Sequence, residues 1–194
     1  MTNETIISVL VSYLIGSIPF AFLLAKWRGR VDLRTVGSKN VGARNLARQF
    51  GWGWGAFGAL LDILKGALAI FIAGNLIFQN PPGLYYAGAA AVAGHNWPIF
   101  LKFHGGKGLA TAAGVVLALA PNAALAGAIG ALVFLALFKK PIEAGLFGFF
   151  AAAASVPLFG YAQDIIWLTL FLFALALAAI AVERLTKRRD PSVK

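Results

Sequence analysis

The chain has no cysteine, one methionine and only seven acidic residues among its 194. Without cysteine there is no disulfide framework, no thiolate nucleophile, and no zinc or iron–sulfur site built on Cys. Charge is scarce too: Asp, Glu, Lys and Arg make up 12% of the residues and hydrophobic residues 60%, where a globular domain is roughly a quarter charged and half apolar. That balance excludes an ordinary soluble fold and points to a membrane protein. The remaining charge is one-sided, with 17 Lys and Arg against seven acids and a formal net charge of +10. A nucleic-acid-binding domain would gather such an excess on one soluble face, whereas here it falls between apolar runs. No nucleic-acid partner is expected; anionic lipid head groups or a phosphorylated substrate suit the pattern.

What the sequence does contain is a series of seven apolar runs, at about 5–25, 52–78, 84–101, 109–120, 122–138, 142–159 and 165–182. A helical span needs about 20 apolar residues. The first run is preceded only by Glu4 and followed by Lys and Arg, the reverse of a cleavable signal, so a retained anchor is expected. The run 109–120 is short, and Pro121-Asn122 after it either reverses the chain or kinks one long helix. Charge decides between these. If all seven runs cross, the loops 26–51, 102–108 and 139–141 and the tail 183–194 share one side and hold every Lys and Arg except Lys65. A kink would put Lys139 and Lys140 on the other side. The expected fold is therefore an all-α integral membrane protein, one polytopic domain over 1–194, with seven transmembrane helices, N-terminus outside and C-terminus cytoplasmic. Trp27, Trp52 and Trp97 near run ends fit an interfacial belt, and 22 glycines suit close helix packing.

Two polar segments carry the candidate chemistry. The first contains Arg34, Ser38, Lys39, Asn40, Arg44, Asn45 and Arg48 among small residues, a composition in which backbone N–H groups, neutral donors and cations can surround a phosphate. A basic loop touching lipid phosphates accounts for the same composition. The second runs from Gly94-His95-Asn96-Trp97-Pro98 to Gly105-Gly106-Lys107-Gly108 ahead of a helix start, where free N–H groups favour an anion. It is not a Walker A loop, because Leu101 stands where the first glycine belongs and Gly108 where Ser or Thr is needed. His95 and His104 lack Cys or nearby carboxylate partners in the sequence, so no metal site is expected. Asp62 and Lys65, inside the second run, share one helix face and can pair, either as a functional group at membrane depth or as a structural tie. Glu143 opens the sixth run near the expected cytoplasmic boundary.

Taken in order, these motifs carry a resemblance: Gly16-Ser17-Ile18-Pro19; Asp32-Leu33-Arg34; Gly37-Ser38-x-Asn40-x-Gly42-Ala43-x-Asn45; Leu61-Asp62-x-Leu64-Lys65-Gly66; Gly94-His95-Asn96-Trp97-Pro98; and Gly105-Gly106-Lys107-Gly108-x-Ala110-Thr111. Over about the first 116 residues the chain resembles the bacterial acyl-phosphate:glycerol-3-phosphate acyltransferases. The resemblance implies a seven-helix inner-membrane enzyme that moves a fatty acyl group from acyl phosphate to the 1-hydroxyl of glycerol 3-phosphate, giving lysophosphatidate and phosphate, the first step of phospholipid synthesis. It implies no cofactor and no metal. At the matching positions the family's Ser, Arg and Lys, here Ser38, Arg48 and Lys107, are implicated in substrate binding or catalysis. Ser38, Arg48, Lys107 and His95 are expected to be catalytic, with a loop-orienting hydrogen bond the other reading for His95, and Arg34, Asn40, Asn45, Gly105, Gly106 and Gly108 are expected to bind phosphate. Asp62, Lys65, Lys39, Arg44 and Glu143 are structural or unassigned.

The last third departs from the family pattern. Ile142-Glu143-Ala144-Gly145-Leu146 stands where the family has two serines, and Ala178 to Ala181 stand where it has a His-Arg-x-Asn motif ahead of Arg184-Leu185. Lys39 replaces a family Gly and Arg44 a Thr. Three readings stay open on the sequence: an active acyltransferase, an enzyme with another phosphorylated acceptor, or a paralogue that binds phosphate or lipid without turnover. A transporter of a phosphorylated metabolite is a fourth, opposed by the lack of an inverted repeat.

Overall fold

A computed structural model describes residues 2–77 and 81–189. Residues 78–80, which the expected run 52–78 enters, and the tail beyond 189 lie outside the described residues. Among the described residues the fold is helical, with no strand: α1 (Asn3–Ser17), α2 (Phe20–Gly29), α3 (Ala43–Phe50), α4 (Trp52–Ile72), α5 (Pro81–Asn96), α6 (Leu109–Leu119), α7 (Pro121–Phe138), α8 (Pro141–Ser155) and α9 (Asp164–Arg189). Five segments of the described residues are long and apolar enough to cross a membrane: Asn3–Gly29, Trp52–Asn75, Pro121–Phe138, Pro141–Phe159 and Asp164–Leu185. The two remaining expected spans are shorter helices, α5 with 16 residues and α6 with 11. Gly108 and Pro121 cut α6 short: Gly108 takes a left-handed conformation just before it, and Pro121 starts the next helix.

The first span differs from a plain helix. Pro19 has no N–H to donate, and Ile18 before it is extended, as residues preceding proline are. The chain therefore breaks between α1 and α2 inside one apolar stretch. The segment after it is also more ordered than the polar loop expected over 26–51. There Leu46, Ala47 and Phe50 alternate with Arg44, Arg48 and Gln49 to make α3 amphipathic, and Leu46 packs into a cluster with Ala21, Ala25 and Leu33.

Helices pair through small residues, as membrane interiors favour. Gly16 of α1 lies against the Ala91 backbone of α5, Gly66 of α4 against Thr111 of α6, and Gly127 of α7 against Gly148 of α8. The central core joins Ile70, Val92, Val115, Phe149, Leu168 and Leu172. Large apolar side chains such as Leu10, Phe71, Leu132, Phe150 and Trp167 point outward and are exposed, the arrangement of a bundle whose solvent is lipid.

Contacts along α6, α7 and α8 settle the Pro121 break. Phe134 toward the end of α7 packs on Phe147 in the first half of α8, with ring centroids 5.3 Å apart, and Leu109 at the start of α6 faces Gly145 in the second turn of α8. The start of α6 is thus level with the end of α7, so the chain reverses at Pro121. Lys139 and Lys140 then lie at the same end of the bundle as the 102–108 loop.

Candidate functional site

The site is built at that end from two loops and the last turns of α9. In the first loop, Asn45 is buried, and its Nδ2 lies 3.0 Å from the Leu33 carbonyl, 3.0 Å from that of Val36 and 2.9 Å from that of Asn40. Its Oδ1 accepts the Ser38 backbone N–H at 3.1 Å. One side chain thereby folds the 33–45 segment into a compact turn. Asn40 Oδ1 accepts the Gly42 N–H at 2.9 Å just ahead of α3, and Lys39 adopts φ 57°, the left-handed region that suits the glycine of the family pattern.

Arg34 forks onto Asp32, with Nε 3.0 Å from one carboxylate oxygen and Nη2 2.8 Å from the other. The guanidinium holds the Asp32 carboxyl down to about pKa 2. Two expected phosphate ligands are therefore already engaged: Asn45 organises the loop, and Arg34 is paired with Asp32. Ser38 and Asn40 sit in the turn that Asn45 makes. Arg44 and Arg48 are exposed on α3, four residues apart and so on one face.

The second loop closes over His95. Gly106 N–H donates to the His95 carbonyl at 3.0 Å. A Cβ at Gly105 would strike that carbonyl and one at Gly106 the imidazole, which is why two consecutive glycines stand here. Beneath the loop, Lys65 Nζ is 2.9 Å from Asp62 Oδ1, both side chains no more than 3% exposed, and His95 Nδ1 is 3.5 Å from the same oxygen. His95 has no carboxylate near it along the chain; the fold supplies Asp62, 33 positions earlier, from α4. Lys65 also donates to the Ile18 carbonyl at 2.7 Å, at the α1–α2 break. The cavity these groups line with Ser17 and Gly106 measures only about 10 Å³, water-sized, so the buried ion cluster supports the glycine loop from below and is too small to take a phosphate ester.

The two loops meet at a residue that sequence reasoning missed. Glu183 on α9 accepts a hydrogen bond from Asn40 Nδ2 at 3.1 Å and lies 3.3 Å from Lys107 Nζ. Nothing in the local sequence marks it, because its partners are 143 and 76 positions away. Glu143 is exposed in the first turn of α8.

Beside Lys107 begins an apolar groove of about 300 Å³ between α4, α6, α7 and α8, lined by Leu109, Ala113, Val116, Gly127, Gly145 and Phe149 among others. A cationic, hydrogen-bonding seat at the end of a membrane bundle thus adjoins an apolar slot, the arrangement of a membrane protein that handles a phosphorylated amphiphile. The comparisons give the family. The model of the glycerol-3-phosphate acyltransferase family matches residues 6–189, so the divergent last third is included, and the chain belongs to that family. The glycerol-3-phosphate acyltransferase of Myxococcus xanthus is 45% identical over 172 residues, 87% of this chain and 88% of that one. That of Thermoanaerobacter pseudethanolicus is 39% identical over 180 residues, 91% and 86%. The crystal structure of PlsY (YgiH), an integral membrane glycerol 3-phosphate acyltransferase, in its glycerol 3-phosphate form superposes with a TM-score of 0.84 at 34% identity, covering 97% of this chain and 94% of that one. Its lysophosphatidic acid form gives 0.83.

Proposed function

We propose that this membrane acyltransferase moves a fatty acyl group from acyl phosphate to the 1-hydroxyl of glycerol 3-phosphate, releasing lysophosphatidate and inorganic phosphate. The acceptor oxygen attacks the acyl carbonyl carbon, the bond from that carbon to the phosphate oxygen breaks, and the hydroxyl proton leaves with the phosphate. No cofactor or metal takes part in these steps. The observation that carries this reading is that Lys107, which Glu183 brings together with Asn40, lies two residues before Leu109, where the apolar groove starts: the phosphates sit on the donors and the acyl tail lies in the groove.

In this reading Lys107 and Arg48 carry charge to the two phosphates, and Ser38, Asn40 and the Gly105, Gly106 and Gly108 backbone donate hydrogen bonds. His95 holds the glycine loop from below. Most of the rate comes from bringing two anions and a tail into one geometry and from stabilising the leaving phosphate. All seven runs cross the bacterial inner membrane, with α5 and α6 as short spans, and the site faces the cytoplasm.

The test is turnover by the purified protein in lipid, supplied with acyl phosphate and glycerol 3-phosphate. The parent forms lysophosphatidate and phosphate, and Lys107→Ala and Ser38→Ala each lose roughly a hundredfold or more, the scale of removing one positioned donor. A parent that binds glycerol 3-phosphate without product is a paralogue instead.

A further inference from the structure

A carboxylate of the protein itself sits on two donors of the anion seat. Glu183 spans the gap between Asn40 and Lys107, residues from separate loops. The Lys107 and Glu183 side chains are only 22% and 19% exposed, so this is not a freely solvated rim pair. A carboxylate and a phosphate are anionic acceptors that want the same donors in the same geometry. A phosphate cannot take Asn40 Nδ2 and Lys107 Nζ together while Glu183 keeps both.

We propose that Glu183 is a positioning residue and internal competitor: its carboxylate holds Asn40 and Lys107 at binding distance, and the acceptor's phosphate displaces it. Acceptor binding is then an exchange of one anion for another. The exchange sets a threshold for entry, because a ligand must offer Lys107 more charge than the carboxylate it removes. A phosphate dianion passes that threshold and neutral glycerol does not. The exchange also moves α9: once released, Glu183 no longer ties the end of that helix to the two loops. This inference rests on the reading of the seat as the acceptor's phosphate site.

The experiment compares the parent, Glu183→Gln and Glu183→Asp as full-length protein in lipid. Gln keeps the shape and an acceptor oxygen for Asn40 but removes the charge facing Lys107. In Glu183→Gln, the dissociation constant of inorganic phosphate by calorimetry and the KM for glycerol 3-phosphate both fall, by roughly three- to tenfold, the scale of a partly exposed ion pair, and KM changes more than kcat. Glu183→Asp, whose carboxylate is one methylene shorter, lies between. An unchanged or weakened phosphate affinity in Glu183→Gln overturns the exchange and leaves Glu183 an anchor of α9. A second readout needs no variant: in the parent, carbodiimide labelling of Glu183 rises several-fold at saturating inorganic phosphate, and equal or lower labelling overturns the proposal even if the variants do not fold. Phosphate affinity and labelling are read without turnover, so a parent that makes no lysophosphatidate fails the acyl-transfer reading separately.

Discussion

Asn45 shows how a residue of the family motif shapes the loop around it. Its amide faces three carbonyls and its oxygen takes the Ser38 N–H, so the position of Ser38 and Asn40 depends on it. Asn45→Asp turns an oxygen toward carbonyls that need a donor and leaves a buried charge. Loss of about 3 kcal/mol of stability is expected, read as a lower unfolding midpoint in detergent, together with weaker glycerol 3-phosphate binding. A variant as stable as the parent would show that the turn does not depend on this amide. Arg34 is a similar case, since its fork is spent on Asp32. The residue types of both were legible in the sequence as phosphate chemistry; their engagement was not, because a side chain's partners are set by how the loop closes.

At the scale of elements, hydrophobic length was the readable signal: the seven runs fall on α1–α2, α4, α5, α6, α7, α8 and α9 in order. Three features escaped it. The α1–α2 break looks continuous to a hydropathy reading because Ile18 and Pro19 are both apolar. The amphipathic α3 was hidden by the charge around it, and Glu183 by its distance from its partners. The break matters to the bundle, for the Ile18 carbonyl freed there receives Lys65, which also neutralises Asp62. Lys65→Met leaves the buried Asp62 carboxylate without its lysine counter-charge, and about 3–5 kcal/mol of stability should go. Asp62→Asn combined with Lys65→Met should cost clearly less than Lys65→Met alone, because no charge is left behind. Thermal unfolding in detergent of the single and double variants checks the ordering, and a double variant worse than the single would sink the structural role of the pair.

For the molecule as a whole, the joined ends constrain the topology more tightly than charge counting does. Asn40, Lys107 and Glu183 meet, and Leu109 lies beside Gly145. Loop 26–51, loop 102–108, the Lys139-Lys140 turn and the end of α9 therefore occupy one end of the bundle, and the α6–α7 and α8–α9 turns the other. Fixing any one turn relative to the membrane fixes them all. The absence of cysteine makes this a clean measurement with single introduced thiols. A membrane-impermeant maleimide added to intact cells should label Asn122→Cys and Gln163→Cys, while Lys139→Cys should react only after the cells are opened. Labelling of Lys139→Cys in intact cells would place the site outside. That outcome also bears on the chemistry. With the site at the cytoplasmic end, as proposed, glycerol 3-phosphate and the released phosphate would exchange with the cytosol, while the acyl tail would lie in the groove between α4, α6, α7 and α8. The reaction thus needs no path across the bilayer for a charged molecule, whose passage through hydrocarbon is costly, and a bundle with its polar groups collected at one end is sufficient for it.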